Sequence, residues 1–206
     1  MSRARPPSNW VSPAVARALP PRRWRCWCPK TAVVTDSPRL FFALWPPREV
    51  AEALHQLAGK ARADGGGRVM RKEGLHLTLA FLGTVAQSRL EALETIAAAV
   101  SAASFTLSLD RLDYWPHNHI LWAGCASPAA ELSTLAESLR SRLTEAGFSL
   151  QPPSFTPHIT LVRNANPPKQ PFSIAPISWP VADFALVASR GGGDYQALGH
   201  WPLHPQ

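Results

Sequence analysis

The tetrapeptide His76-Leu77-Thr78-Leu79 returns almost unchanged as His158-Ile159-Thr160-Leu161. Few other features limit so sharply what this chain can fold into. Read as a strand, each copy alternates its side chains between two faces. His76 and Thr78 share one face; Leu77, Leu79 and Phe81 share the other. His158 and Thr160 oppose Ile159 and Leu161 in the same manner. Each strand can therefore anchor one face in an apolar core and present an imidazole and a hydroxyl on the other. Two such copies predict two similar halves whose polar faces converge on a cleft.

The flanking sequence repeats a pattern around each copy. "RLFFALWPP", from Arg39, has the composition of a strand closed by Pro46 and Pro47. Residues 48–63 follow as a helix with Val50, Leu54, Leu57 and Ala61 on one stripe, and the glycines of residues 64–67 end it. Beyond Gly83, Ser88 and Glu91 have the spacing of a capping box, opening a helix that carries Leu90, Leu93, Ala97 and Val100 on one face. Residues 105–109 alternate as a strand, and residues 117–124 supply another. Ser127 and Pro128 suit an N-cap and first helical position. The helix they open buries Leu132, Leu135, Leu139 and Leu143 and stops at Gly147. After the second motif strand come a Pro-rich loop at 167–176, a strand at 183–189 and a glycine turn at 191–193. A helix paired with a His-x-Thr strand in each half predicts an α+β fold of two similar lobes.

Charge divides the chain more clearly than hydropathy does. The formal net charge is +7, but residues 1–38 carry seven Arg or Lys against one acid, Asp36, and the remainder is nearly balanced. Residues 1–38 are therefore read as a disordered Pro/Arg-rich leader or a start codon assigned too far upstream, and residues 39–206 as the folded domain. A nucleic-acid-binding arm is the alternative, given Trp10, Trp24 and Trp27 among the arginines. Pro13, Arg17 and Pro20 interrupt its only apolar stretch, which argues against a secretory signal. No apolar run reaches the roughly 18 residues of a membrane span. Three cysteines, Cys26, Cys28 and Cys125, make no disulfide framework and point to a reducing compartment. Cys26 and Cys28 lack the second ligand pair of a zinc site. The expectation is a soluble, cytoplasmic protein without membrane contact.

Two histidines can divide acid–base work, one neutral as base and one protonated as acid. Threonine hydroxyls donate to phosphate oxygens. Arg163, five residues beyond His158, adds a permanent charge and a fork of donors. This set suits phosphodiester hydrolysis without a metal or other cofactor, and no cluster at ligand spacing argues otherwise. His55 falls off the apolar helical stripe and is expected in solvent, while His117 and His119 flank Asn118 in a turn or on the cleft rim.

From Arg39 onward the chain resembles the two-histidine phosphoesterase superfamily. It is most similar to the bacterial RNA 2′,3′-cyclic phosphodiesterases, also known as 2′-5′ RNA ligases. The resemblance rests on "RLFFAL" (39–44), "LHLTLAFLG" (75–83), "FTPHITLVR" (155–163) and "FALVAS" (184–189). It implies a bilobal α+β fold with a pseudo-two-fold repeat, two antiparallel sheets facing a central cleft and helices outside. It also implies opening of an RNA 2′,3′-cyclic phosphate to a 2′-phosphate by a monomeric enzyme. By analogy His76 protonates the departing 3′ oxygen and His158 activates water, although the residues alone permit the reverse. Thr78 and Thr160 would hold the non-bridging oxygens, and Arg163 a phosphate or base. Phe42 would line the nucleotide pocket or, alternatively, pack in the core; Tyr195 is a further candidate. Other readings are a cyclic phosphodiesterase for small nucleotides, a 2′-5′ RNA ligase and an inactive RNA-binding module.

Overall fold

The computed structural model describes residues 38–168 and 174–205, with the Asp64 side chain excepted. The expectations for the leader and for Cys26 and Cys28 lie outside these residues, Pro38 apart, as does the middle of the Pro-rich loop.

The chain begins with strand β1 (Arg39–Leu44) and helix α1 (Arg48–Gly65). The short strand β2 (Arg68–Val69) precedes the first motif strand, β3 (Leu77–Thr84). Helix α2 (Leu90–Ala98) leads to β4 (Phe105–Leu109), β5 (Arg111–Trp115) and β6 (Ile120–Gly124). Helix α3 (Ala130–Glu145) precedes the second motif strand, β7 (Ile159–Arg163). Strands β8 (Ile177–Val181), β9 (Asp183–Gly191) and β10 (Asp194–Pro202) finish the domain. Among the described residues no helix is long and apolar enough to cross a membrane.

Two antiparallel sheets form, one large and one small. The large sheet has the order β10-β9-β1-β3-β7-β6-β5 with β2 added on β7, and β4 pairs with β8 in the small one. The repeat is visible in that order. Strand–helix–motif strand occurs as β1-α1-β3 and again as β6-α3-β7, and the two motif strands are neighbours at the centre. The sheets do not divide the motifs between them: β3 and β7 share the large sheet, joined at the pair Leu77 and Ile159.

Alternation explains which face is buried. Leu40, Phe42 and Leu44 join Leu77 and Leu161 with the stripes of the helices (Leu54 and Ala58, Leu93 and Ala97, Leu135 and Leu139) in one core. The opposite face of β1 and β9 carries a smaller cluster of Phe41, Ala43, Ala185 and Val187, flanked by Trp45, Phe81 and Tyr195. The structure corrects four local expectations here. Phe42 is fully buried against Phe184 and Trp201, so it does not line a nucleotide pocket. Phe81 lies on the cleft face, because the register slips between β1 and β3. Phe42 pairs with Ala80 and Ala43 with Thr78, which leaves Leu79 as an extra residue and turns both Leu79 and Ala80 inward. Ser88 caps no helix: it sits within a 3-10 turn, Gln87–Arg89, that runs directly into α2. Likewise α3 starts two residues beyond Pro128, with Ala129 at its N-cap.

Candidate active site

The two motif histidines stand one residue ahead of their strands and share one local geometry. His76 Nδ1 lies 2.8 Å from the Gly74 carbonyl, and His158 Nδ1 lies 2.8 Å from the Thr156 carbonyl. A carbonyl can only accept, so each Nδ1 carries the hydrogen. Each ring is thereby fixed through a backbone atom two residues upstream, and Nε2 is left for chemistry. The Leu77–Ile159 pair explains how the motifs meet. One step to either side in an antiparallel ladder lie His76 with Thr160 and Thr78 with His158. All four line a single cavity of about 200 Å³, together with Arg39, Phe41, Phe81, Arg163, Ser189 and Tyr195.

Aromatic rings wall both imidazoles. Trp45 stacks on His76 with centroids 4.9 Å apart and planes 15° from parallel, and its indole N–H donates to the Glu73 carbonyl at 3.2 Å. Phe41 lies 5.0 Å from the same ring, and Tyr195 meets it edge-on at 5.1 Å. Trp115 meets His158 edge-on at 4.5 Å, with Trp122 behind at 6.4 Å. These walls remove water from the imidazoles and so disfavour their charged forms. Burial pushes the His76 pKa down to about 4 against the pull of the Gly74 carbonyl, with the positive potential of His158 and Arg163 adding to the fall. His158 is lowered by burial and by Arg163, opposed by its bond to Thr156. Both shifts favour the neutral imidazole at neutral pH.

The structure thus brings together five of the six residues expected from sequence: His76, Thr78, His158, Thr160 and Arg163. Phe42 is the exception, and its neighbour Phe41 holds the wall instead. The parity of β1 carried that signal, since Arg39 shares a face with Phe41 and Ala43 and a core cannot take an exposed arginine. Tyr195, the lesser candidate, is in the wall, whereas Trp45 and Trp115 carried no signal at all. A second cavity of about 350 Å³ adjoins the first through Thr78, Phe81 and His158, and His117 and Asn118 stand on its rim. His119 turns away, its Nδ1 2.9 Å from the Tyr114 hydroxyl, and His55 is exposed with Nδ1 3.1 Å from the Met70 carbonyl. Among the described residues no group of three or more His, Cys, Asp or Glu side chains is placed to hold a metal ion.

Comparison with known proteins identifies the family. A sequence model of the 2′-5′ RNA ligase superfamily matches residues 46–193. The RNA 2′,3′-cyclic phosphodiesterase of Escherichia coli (strain K12) is 34% identical over 82% of this chain and 99% of its own length. The protein of the same name from Thermus thermophilus is 34% identical over 74% of this chain and 82% of its own. The crystal structure of Escherichia coli LigT complexed with 3′-AMP superposes with a TM-score of 0.71 at 35% identity, covering 81% of this chain and 98% of that one. Since the matched span contains both His-x-Thr strands and more than half of the chain, the chain belongs to the 2′-5′ RNA ligase superfamily.

Proposed function

We propose that this protein is a phosphodiesterase that opens the 2′,3′-cyclic phosphate at an RNA end and leaves a 2′-phosphomonoester. The observation that carries the reading is the convergence of both imidazoles, both threonines and Arg163 on one cavity. The relatives' shared name supplies the substrate class.

His158, neutral with Nε2 free, takes a proton from water as the water oxygen attacks phosphorus. The bond from phosphorus to the 3′ oxygen breaks, and His76, protonated at Nε2, gives that oxygen its proton. Thr78 and Thr160 donate to the non-bridging oxygens, and Arg163 offsets charge that grows in the transition state. With both pKa values lowered, the ring that acts as acid gains its proton as substrate binds. The phosphate supplies the reason, since its negative charge favours an adjacent imidazolium. Directional roles follow the family resemblance; the near-symmetry of the two histidines is consistent with a donor and an acceptor built from one unit.

The same reading makes the protein a cytoplasmic monomer that acts on RNA ends and needs no metal or cofactor. Cys125, buried and with its thiol pushed up to about 11, is not a reactive group. The test is incubation of purified protein with an oligonucleotide ending in 2′,3′-cyclic phosphate, with EDTA present. A product bearing phosphate on the 2′ oxygen alone is expected. A 3′-phosphate product, or no reaction, would overturn the proposal.

A further inference from the structure

Beside the cavity, β2 lies tight against β7. Gly67 makes this possible: its φ is +89°, and a Cβ there would stand 2.8 Å from both the Arg163 carbonyl oxygen and Val162 Cγ1. The Met70 amide donates to the Leu161 carbonyl and the Asn166 amide to the Gly65 carbonyl, each at 2.8 Å. Between these two ties the ladder sets Arg68 directly opposite Arg163 and Val69 opposite Val162.

Directly opposed residues in an antiparallel pair stand about 5 Å apart at Cβ on one side of the sheet, where like charges repel. Arg68 and Arg163 are both exposed, and among the described side chains neither has a carboxylate at ion-pair distance. The described lining of the adjoining cavity has no carboxylate either, only Arg39 and Arg163 as charged partners to its histidines. A like-charged pair pinned in register by two backbone hydrogen bonds and a close-packed glycine is a local conflict that an anion would relieve.

We propose that Arg68, held opposite Arg163, forms a second anion subsite, which takes the phosphodiester adjacent to the cyclic end of an RNA chain. The inference rests on the proposed reaction and narrows its substrate to oligonucleotides. Arg163 lines the cavity where the cyclic phosphate reacts, and Arg68 is its ladder partner on β2, outside that lining, within reach of the next phosphate of the chain. Guanidinium forks suit phosphate oxygens, and two neighbouring ones span consecutive phosphates, Arg163 the reacting one and Arg68 the next. A 2′,3′-cyclic mononucleotide has no such phosphate and gains nothing from Arg68. No bond is made or broken at this subsite; its contribution appears in binding.

The test compares a 2′,3′-cyclic mononucleotide with a tetranucleotide carrying the same cyclic end, at several KCl concentrations. The proteins are the wild type, Arg68→Gln, Arg68→Lys and Arg39→Gln. In Arg68→Gln, kcat/KM on the tetranucleotide should fall about tenfold, the size of one charge-assisted contact. Activity on the mononucleotide should stay within about twofold, since no contact there is lost. The slope of log kcat/KM against log salt for the tetranucleotide should shrink by about 0.7, as for one lost phosphate contact on a single strand. Arg68→Lys should restore that slope. Equal losses on both substrates, no loss on the tetranucleotide, or a tetranucleotide-selective loss in Arg39→Gln instead of Arg68→Gln would overturn the subsite. Wild-type inactivity on both substrates would overturn the proposed reaction itself, and the subsite with it.

Discussion

At the scale of single residues, the site is made of neutral imidazoles in aromatic boxes. His76 and His158 each keep a hydrogen on Nδ1 for a backbone carbonyl and hold Nε2 open. With both pKa values below the ordinary 6.5, the neutral form of each ring is favoured at pH 7. An anion in the cavity raises them, so binding of inorganic phosphate at pH 7 is expected to take up a proton. Calorimetry in two buffers of different ionisation enthalpy checks this: the apparent binding enthalpy should differ between buffers with the sign of uptake, and identical enthalpies would contradict it. Phe41 and Phe42 offer a second test. Phe42→Ala removes a fully buried ring and should cost about 3–5 kcal/mol of stability. Phe41→Ala should lower turnover as well as stability, because Phe41 is buried and also packs on His76. Urea denaturation beside steady-state kinetics separates the two. The histidines and threonines were legible because a repeated motif and simple alternation place them. Arg163 was named for its charge close to His158, whereas its turn toward the cavity depends on a slip between β6 and β7 that alternation does not encode. Tyr195 was a lesser candidate, and Trp45 and Trp115 were not legible, since each reaches the cavity from a loop or strand whose docking no local pattern encodes.

Among elements, what sequence conveyed was the repeated unit of strand, helix and motif strand, and the apolar stripes that seat α1, α2 and α3. Local rules failed where pairing decides. Phe81 exchanged faces because the slip at Leu79 depends on how β3 registers with β1. β5 has one buried residue in five and no clean alternation, so nothing local distinguished it from loop. β8 contains Pro180, which a two-stranded sheet tolerates at its edge but a sequence reading takes as a break. Gly67 has the sharpest consequence. Gly67→Ala places a side chain at a left-handed φ and against β7 backbone. It should destabilise the domain by about 1–3 kcal/mol and loosen the strand carrying Arg163. Chemical denaturation read beside KM tests this, and wild-type values for both would contradict the β2–β7 packing described.

The whole molecule uses one large sheet in two ways. Its helical face supplies the core, and its other face carries the aromatic cluster and the cavity. Two halves related by the order β9-β1-β3 and β7-β6-β5 meet at a single ladder pair, which sets two copies of one motif side by side. The buried neutral histidines also tie folding to pH. A histidine whose folded pKa is depressed stabilises the fold above its unfolded value near 6.5 and loses that contribution as pH falls toward the folded value, about 4 for His76. The melting temperature should therefore decline between pH 6.5 and 4, and decline less in His76→Gln. The most direct test of the paired-imidazole mechanism is single-turnover hydrolysis of a cyclic-ended oligonucleotide in EDTA by wild type, His76→Ala, His158→Ala and the double variant. Each single variant should lose about two to four orders of magnitude, the scale of a missing general acid or base. The double variant should be little worse than the weaker single one, because the two rings act as a unit. Near-wild-type turnover in either single variant, or a wild-type reaction that EDTA abolishes, would contradict the account.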